Sequence, residues 1–250
     1  MTLNKSPSKE LIDSNVLKLS KLDSGNPEIF VSVQGEGVFA GTPCVFIRLA
    51  ACNLSCNWCD TKYSWDWKNY EYADHVMTLH NNDVYSIIDG HNLKHVVITG
   101  GEPLLQQHAL LPLITALSKN SYTIEVESNG TIEPIMSIFN LVNQWNVSPK
   151  LTNSGNSQEK HTQLGILAKY KFHPNAYLKF VIVEQGDVSE AISLAKTVSF
   201  PTNRLILMPE GSTGPDLMAR SSWLSDYCIA NDLRYSSRLH VLLWQGVRGK

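Results

Sequence analysis

The stretch Val45-Phe46-Ile47-Arg48-Leu49-Ala50-Ala51-Cys52-Asn53-Leu54-Ser55-Cys56-Asn57-Trp58-Cys59-Asp60-Thr61 decides the fold. An apolar run of strand length leads directly into a loop carrying three thiols, spaced Cys-x3-Cys-x2-Cys. On so short a loop all three can point at one centre, and three is one fewer than a closed tetrahedral metal site takes. An iron-sulfur cluster held by three cysteines keeps one iron free of protein, open to a substrate or cosubstrate. The spacing leaves a second reading open: a structural zinc completed by a distant histidine such as His75, His80 or His91.

Working outward, β-branched runs alternate with segments of helical period. Residues 45–49, 95–98, 123–126, 177–183, 204–208 and 239–244 read as strands. Residues 106–118, 134–143, 188–198 and 216–231 read as helices, the third opened by Asp187 and Glu190 in capping-box spacing. Such alternation implies an α/β fold with a parallel sheet, whose site gathers at the strand C-termini. The polar motifs obey that rule. Thr99-Gly100-Gly101-Glu102-Pro103, Glu127-Ser128-Asn129-Gly130, Ser148-Pro149-Lys150 and Pro209-Glu210-Gly211 each follow a strand. Residues 153–160 read as a surface loop or small insertion. Residues 1–27 are polar, end in Gly25-Asn26-Pro27, and read as a flexible N-terminal extension to one domain over 28–250.

Charge is nearly balanced, 21 basic against 23 acidic residues, which argues against nucleic acid as a direct partner. No apolar run is long enough to cross a bilayer, and the first residues lack the layout of a secretory signal. Five cysteines, three of them bunched, fit a reducing compartment rather than a secreted disulfide framework, so a soluble, cytoplasmic protein is expected. Cys44 and Cys228 read as buried apolar fillers.

Two glycines after a strand let the backbone approach a ligand with no Cβ in the way, and Glu102 adds a carboxylate suited to an ammonium group. Alone, a Gly-Gly pair is a plain turn. Together with the cysteine loop it resembles the radical S-adenosylmethionine superfamily. Ser32-Val33-Gln34-Gly35-Glu36-Gly37, Gly41-Thr42-Pro43, Phe46-Ile47-Arg48, Cys59-Asp60-Thr61 and Val147-Ser148-Pro149-Lys150 narrow the resemblance to the 7-carboxy-7-deazaguanine synthase family. An activator of glycyl-radical proteins would share the cysteines and Gly-Gly-Glu but lack the Gln-Gly-Glu-Gly and Ser-Pro-Lys set.

That resemblance implies a partial, modified (β/α) barrel of mostly parallel strands, a homodimer, and a flavodoxin-type electron donor. It implies conversion of 6-carboxy-5,6,7,8-tetrahydropterin to 7-carboxy-7-deazaguanine with loss of ammonia, toward queuosine and related deazapurines. Cys52, Cys56 and Cys59 would anchor a 4Fe-4S cluster. Trp58, Cys59, Asp60, Gly101, Ser148, Pro149, Lys150, Met208, Pro209, Glu210 and Gly211 would contact S-adenosylmethionine; Glu102 joins them on its charge. The pterin would lie against the backbone of Val33, Gln34 and Gly35, near Glu36, Arg48 and Thr99. Arg48 is the natural carboxylate clamp. Thr61, otherwise a turn or cap residue, becomes a magnesium ligand through its hydroxyl.

Taken singly, Arg48 reads as an ion-pair partner, Lys150 as a solvated charge, and Tyr63, Trp65 and Trp67 as either core or an aromatic wall. His108, His173 and His240 read as surface or satisfied histidines. The chain departs from the family at its end, Leu242-Leu243-Trp244-Gln245-Gly246-Val247-Arg248-Gly249-Lys250, and at Asn129, where relatives carry a smaller residue.

Overall fold

The computed structural model describes residues 15–250. Its strands are β1 (Val16–Ser20), β2 (Ile29–Val33), β3 (Pro43–Leu49), β4 (Val76–His80), β5 (His95–Gly100), β6 (Thr123–Ser128), β7 (Gln144–Val147), β8 (Ala176–Ile182), β9 (Leu205–Pro209) and β10 (Arg234–Tyr235). They form one 10-stranded sheet in the order β10-β9-β8-β7-β6-β5-β3-β1-β4, with β2 also on β3. From β3 through β5 to β10 every pairing is parallel. β1, β2 and β4 add antiparallel pairings at the other end. This is the expected α/β architecture, a partial barrel of mostly parallel strands.

The helices are α1 (Tyr72–His75), α2 (Asn81–Asp89), α3 (Gln107–Lys119), α4 (Met136–Leu141), α5 (Gln158–His161), α6 (Leu164–Tyr170), α7 (Gln185–Thr197), α8 (Gly214–Ala230) and α9 (Leu239–Trp244). Alternate residues of a strand face opposite sides, and here one side meets helices while the other lines a cavity. On β3, Val45, Ile47 and Leu49 join the core with Leu110, Leu113, Ile114 and Leu117 of α3. Phe46 and Arg48, between them, line the cavity. Lys179 and Val181 of β8 do the same, whereas Leu178, Phe180 and Ile182 are core.

Three sequence expectations are corrected. The expectation of a flexible extension over 1–27 fails from Val16 on: residues 1–14 lie outside the described residues, but Val16–Ser20 is a strand paired along β4, with Leu17 and Leu19 fully buried. The alternation Val16-Leu17-Lys18-Leu19 carries that strand and is easily lost in a polar neighbourhood. Residues 239–244 form α9, not a strand; a six-residue apolar run does not distinguish the two by periodicity, and Gln245 and Gly246, both left-handed, stop it. α7 starts earlier than expected. Its capping box joins Glu184 to Asp187, so Asp187 is the third helical residue rather than the cap.

Candidate active site

All three cysteines line a single cavity at the C-terminal ends of the parallel strands. The loop bearing them is held from two sides. On one, Asn53 Nδ2 donates to Thr131 Oγ1 at 2.7 Å and Asn129 Nδ2 to Asn53 Oδ1 at 2.9 Å. On the other, Asn57 N donates to Ser154 O at 3.0 Å, Ser55 N to Asn156 Oδ1 at 2.9 Å, and Trp58 Nε1 to Asn153 Oδ1 at 3.2 Å. Residues 153–156 are therefore a clasp on the cysteine loop and not a detached surface loop. Gly155 is left-handed (φ 75°), and a Cβ there would stand 2.2 Å from Asn57 Nδ2.

The Gly-Gly pair has a packing reason in addition to any ligand. A Cβ on Gly100 would lie 2.1 Å from Leu49 O, and one on Gly101 1.9 Å from Ala51 O. Only glycine lets the β5 exit run against the start of the cysteine loop, where Gly101 N and Glu102 N donate to Leu49 O and Ala51 O. Glu102 is corrected by the structure. It is fully buried, and its carboxylate accepts from Leu104 N, Ser128 Oγ and Asn129 N at 2.7–3.0 Å. It does not reach the cavity lining and braces the motif; it is not free for an ammonium group.

The opposite wall is a charge network. Lys179, 4% exposed, pairs with Glu36 Oε2 and lies 3.6 Å from Glu127 Oε1. Arg238 donates through Nε to Glu36 Oε1 at 3.1 Å, through Nη1 to Gly211 O at 2.7 Å, and through Nη2 to Asp60. One guanidinium thus ties the cysteine loop, the Gln-Gly-Glu-Gly segment and the β9 exit together. Burial alone would raise the Glu36 pKa, but Lys179 and Arg238 outweigh it and hold the carboxyl well below its usual range. Burial would likewise neutralise Lys179; Glu36 and Glu127 instead raise its pKa and keep it charged. Thr99 Oγ1 donates to Glu127 Oε2 at 2.7 Å. Arg48 donates through Nε to Glu28 Oε1 at 2.7 Å, so the Nη edge is what remains for a ligand. Gln34 turns its amide inward to Glu125 at 2.6 Å, leaving its backbone beside the cavity.

Of the residues expected at the site, Val33, Gln34, Glu36, Arg48, Cys52, Cys56, Trp58, Cys59, Asp60, Thr61, Thr99, Gly101, Ser148, Lys150, Met208 and Glu210 line the cavity. Gly35, Pro149, Pro209 and Gly211 are not among the lining residues. Lys179, Glu127, Arg238 and His240 were missed. His240 is no surface histidine: its ring packs where a Gly35 Cβ would stand, 2.0 Å from Nδ1. Burial lowers its pKa below 6.5. His173 is satisfied, bonding Val142 O at 3.0 Å. A lone Lys or Arg in an apolar strand or a C-terminal segment carries no local signal; the nearest clue was the oddity of Lys179 inside Tyr177-Leu178-Lys179-Phe180-Val181.

The sulfur set suits a cluster. Three thiols share one cavity, each within reach of an N–H donor. Among the described residues, no three His, Cys, Asp or Glu side chains, the three cysteines included, stand close enough together to hold a single ion. Burial pushes the Cys52 thiol up to about 12 and raises Cys56, so iron must displace protons to bind.

A family model described as a 4Fe-4S single cluster domain matches residues 33–159. The 7-carboxy-7-deazaguanine synthase of Pyrobaculum aerophilum is 33% identical over 89% of this chain and 96% of its own length. That of Escherichia coli K12 is 31% identical over 86% and 96%. The crystal structure of QueE from Escherichia coli superposes with a TM-score of 0.68 at 25% identity, covering 93% of this chain and all of that one. With the cysteine loop, the glycine pair and the charged wall all in one cavity, the chain belongs to the 7-carboxy-7-deazaguanine synthase family of radical S-adenosylmethionine enzymes.

Proposed function

We propose that this chain converts 6-carboxy-5,6,7,8-tetrahydropterin to 7-carboxy-7-deazaguanine with loss of ammonia, with Cys52, Cys56 and Cys59 as the cluster ligands. The observation that carries the reading is a single cavity with three sulfurs at one end and a buried acid-base network at the other. Held by those three sulfurs, a 4Fe-4S cluster would supply the electron that splits S-adenosylmethionine into methionine and a hydrogen-abstracting 5'-deoxyadenosyl radical.

The chain's own residues divide the remaining work. Trp58, Asp60, Gly101, Ser148, Lys150, Met208 and Glu210 shape the cosubstrate side, with Pro149, Pro209 and Gly211 next to them in sequence. Lys150 Nζ, 5.5 Å above the Trp58 ring, brings positive charge to that side. The Arg48 Nη edge meets the pterin carboxylate, a pairing that guanidinium makes with two parallel donors. The flat ring lies against the Val33-Gln34-Gly35 segment, whose backbone is pinned by the bonds Gln34 N to Thr42 O, Gly41 N to Gln34 O and Leu239 N to Gly35 O. Lys179, held charged by Glu36 and Glu127, is a cation placed within this wall, and Thr99 fixes the Glu127 carboxylate. Phe30 and Phe46, stacked at 5.3 Å, make an apolar flank that excludes water from the reacting carbon.

Thr61 faces the cavity 3.5 Å from the Cys59 sulfur. Its hydroxyl is our candidate magnesium ligand, with substrate and water completing the shell. A homodimer, a flavodoxin-type donor and a cytoplasmic setting complete the proposal. No helix among the described residues is long and apolar enough to cross a membrane.

Anaerobic reconstitution with iron and sulfide tests the reading. A brown protein that, with a low-potential reductant, forms deazapurine only from the carboxylated tetrahydropterin is expected. Colourless, zinc-loaded protein would refute it.

A further inference from the structure

Two of the three cysteine sulfurs carry side-chain N–H donors at 3.2 Å: Asn156 Nδ2 on Cys56 and Trp65 Nε1 on Cys59. The third, Cys52, has the backbone N–H of Leu54 at 3.4 Å and Asn129 Nδ2 further off at 3.9 Å. The orientation of Asn156 is set by its neighbours, since its Oδ1 must accept the Ser55 N–H at 2.9 Å. That leaves the amide N–H group to face the sulfur. Neither donor belongs to the cysteine motif. Asn156 comes from the clasp after β7, a hundred residues further on, and Trp65 from the turn that follows the loop.

We propose that Asn156 and Trp65 are potential-setting residues, whose N–H dipoles on Cys56 and Cys59 raise the reduction potential of the bound cluster. The inference rests on the cysteine-ligand reading above. Reduction adds one negative charge to the cluster, and that charge spreads onto the thiolate sulfurs. A donor aimed at sulfur is therefore stronger in the reduced state than in the oxidised one, and favours uptake of the electron. The electron comes from outside, from a low-potential one-electron reductant, and no proton or bond changes hands. The need is physical. A cluster with negatively charged ligands in a partly buried site resists reduction, and two fixed donors offset part of that resistance without opening the site to water.

Asn156 has a second role in the same geometry. Its Oδ1 ties the Ser55 backbone while its Nδ2 holds the Cys56 sulfur, so one side chain fixes both loop position and sulfur environment. The substitutions separate these roles. Asn156→Leu removes the donor to sulfur without bringing a charge beside the cluster, and iron content reports whether the lost Ser55 acceptor costs the loop its position. Trp65→Phe keeps an aromatic ring and removes only the indole N–H.

The test is a redox titration of the reconstituted full chain, followed by visible absorbance and by the spin signal of the reduced cluster. At a fixed solution potential, the reduced-to-oxidised ratio should fall about threefold to tenfold in each variant, tenfold being about 59 mV for a one-electron couple. The double variant should fall further than either. Both variants loading iron fully yet titrating like the unmodified protein would overturn the proposal. Loss of the cluster from Trp65→Phe would overturn it too, because the indole would then be a support and not a tuner. Full iron content in Cys56→Ala would instead refute the ligand reading beneath it, so the two failures are distinguishable.

Discussion

The two ends of the cavity are built by opposite means. At the sulfur end, the reactive groups lie within eight consecutive residues, and the rest of the molecule shapes that loop through backbone contacts and asparagine side chains. At the charged end no two members are neighbours in sequence: Glu36 meets Arg238 across 202 positions and Lys179 across 143. The first is a motif that the fold supports. The second exists only because the fold exists, with β8, the β2 exit and the segment before α9 converging. The difference predicts distinct failures: damage at the sulfur end should abolish cofactor chemistry outright, whereas damage at the charged end should uncouple it from the substrate.

The largest effect is expected at the sulfur end. Cys56→Ala should lose cluster and S-adenosylmethionine cleavage together, read as iron content and methionine release; full turnover in that variant would erase the distinction. Next comes Lys179→Met, which leaves Glu36 with Arg238 alone and Glu127 with only the Thr99 hydroxyl in a buried wall. Removing one partner of a buried pair costs about 3–5 kcal/mol, so the midpoint of denaturant unfolding should drop clearly. Deazapurine formation by the folded fraction should fall by about a hundredfold, equivalent to about 2.7 kcal/mol of lost transition-state stabilisation. Cleavage of S-adenosylmethionine without substrate should persist in the folded fraction; its parallel loss would show that the ends are not separable.

A smaller effect sharpens the comparison. Gly35→Ala places a Cβ against the His240 ring and must displace that ring, next to Leu239, whose N donates to Gly35 O at 2.8 Å. The pterin KM should rise by about tenfold, roughly 1.4 kcal/mol of binding, with cluster content unchanged. An unaltered KM would mean that the C-terminal segment does not shape the substrate side.

The smallest effect is one of pH. His240 has its pKa lowered in the folded state, so folding favours its neutral form. The stability this contributes is complete above the unfolded value near 6.5 and is lost as pH falls from there through the folded value. The depressed Glu36 pKa works at lower pH: its contribution is present above the ordinary carboxylate range and lost only in stronger acid. Melting temperatures recorded from pH 7 downward should therefore fall first in the unmodified protein, and less steeply in His240→Gln. Equal slopes would remove His240 from the folded-state balance.

The same contrast explains what was legible in the sequence. β3, β5 and β6 were readable because their β-branched and aromatic residues form short runs, continuous in Val96-Val97-Ile98 and alternating with carboxylates in Ile124-Glu125-Val126-Glu127, and the cysteine and glycine motifs because their spacing is local. β1 was hidden in a polar neighbourhood, and α9 in an apolar run too short to show a period. Arg238 and Lys179 had no local pattern, since a single charged residue gains meaning only when the fold brings carboxylates to it. Glu102 shows the reverse error. Its charge suggested a ligand contact, but Leu104, Ser128 and Asn129 take up that carboxylate, and no spacing rule announces such a use.

The central claim is that three cysteines hold a cluster and leave one iron for S-adenosylmethionine. Electron paramagnetic resonance of the dithionite-reduced, reconstituted protein, recorded with and without S-adenosylmethionine, tests it most directly. A reduced 4Fe-4S signal whose g-values shift on adding S-adenosylmethionine is the predicted result. A signal indifferent to saturating S-adenosylmethionine would mean that the fourth iron is already taken, and would contradict the account.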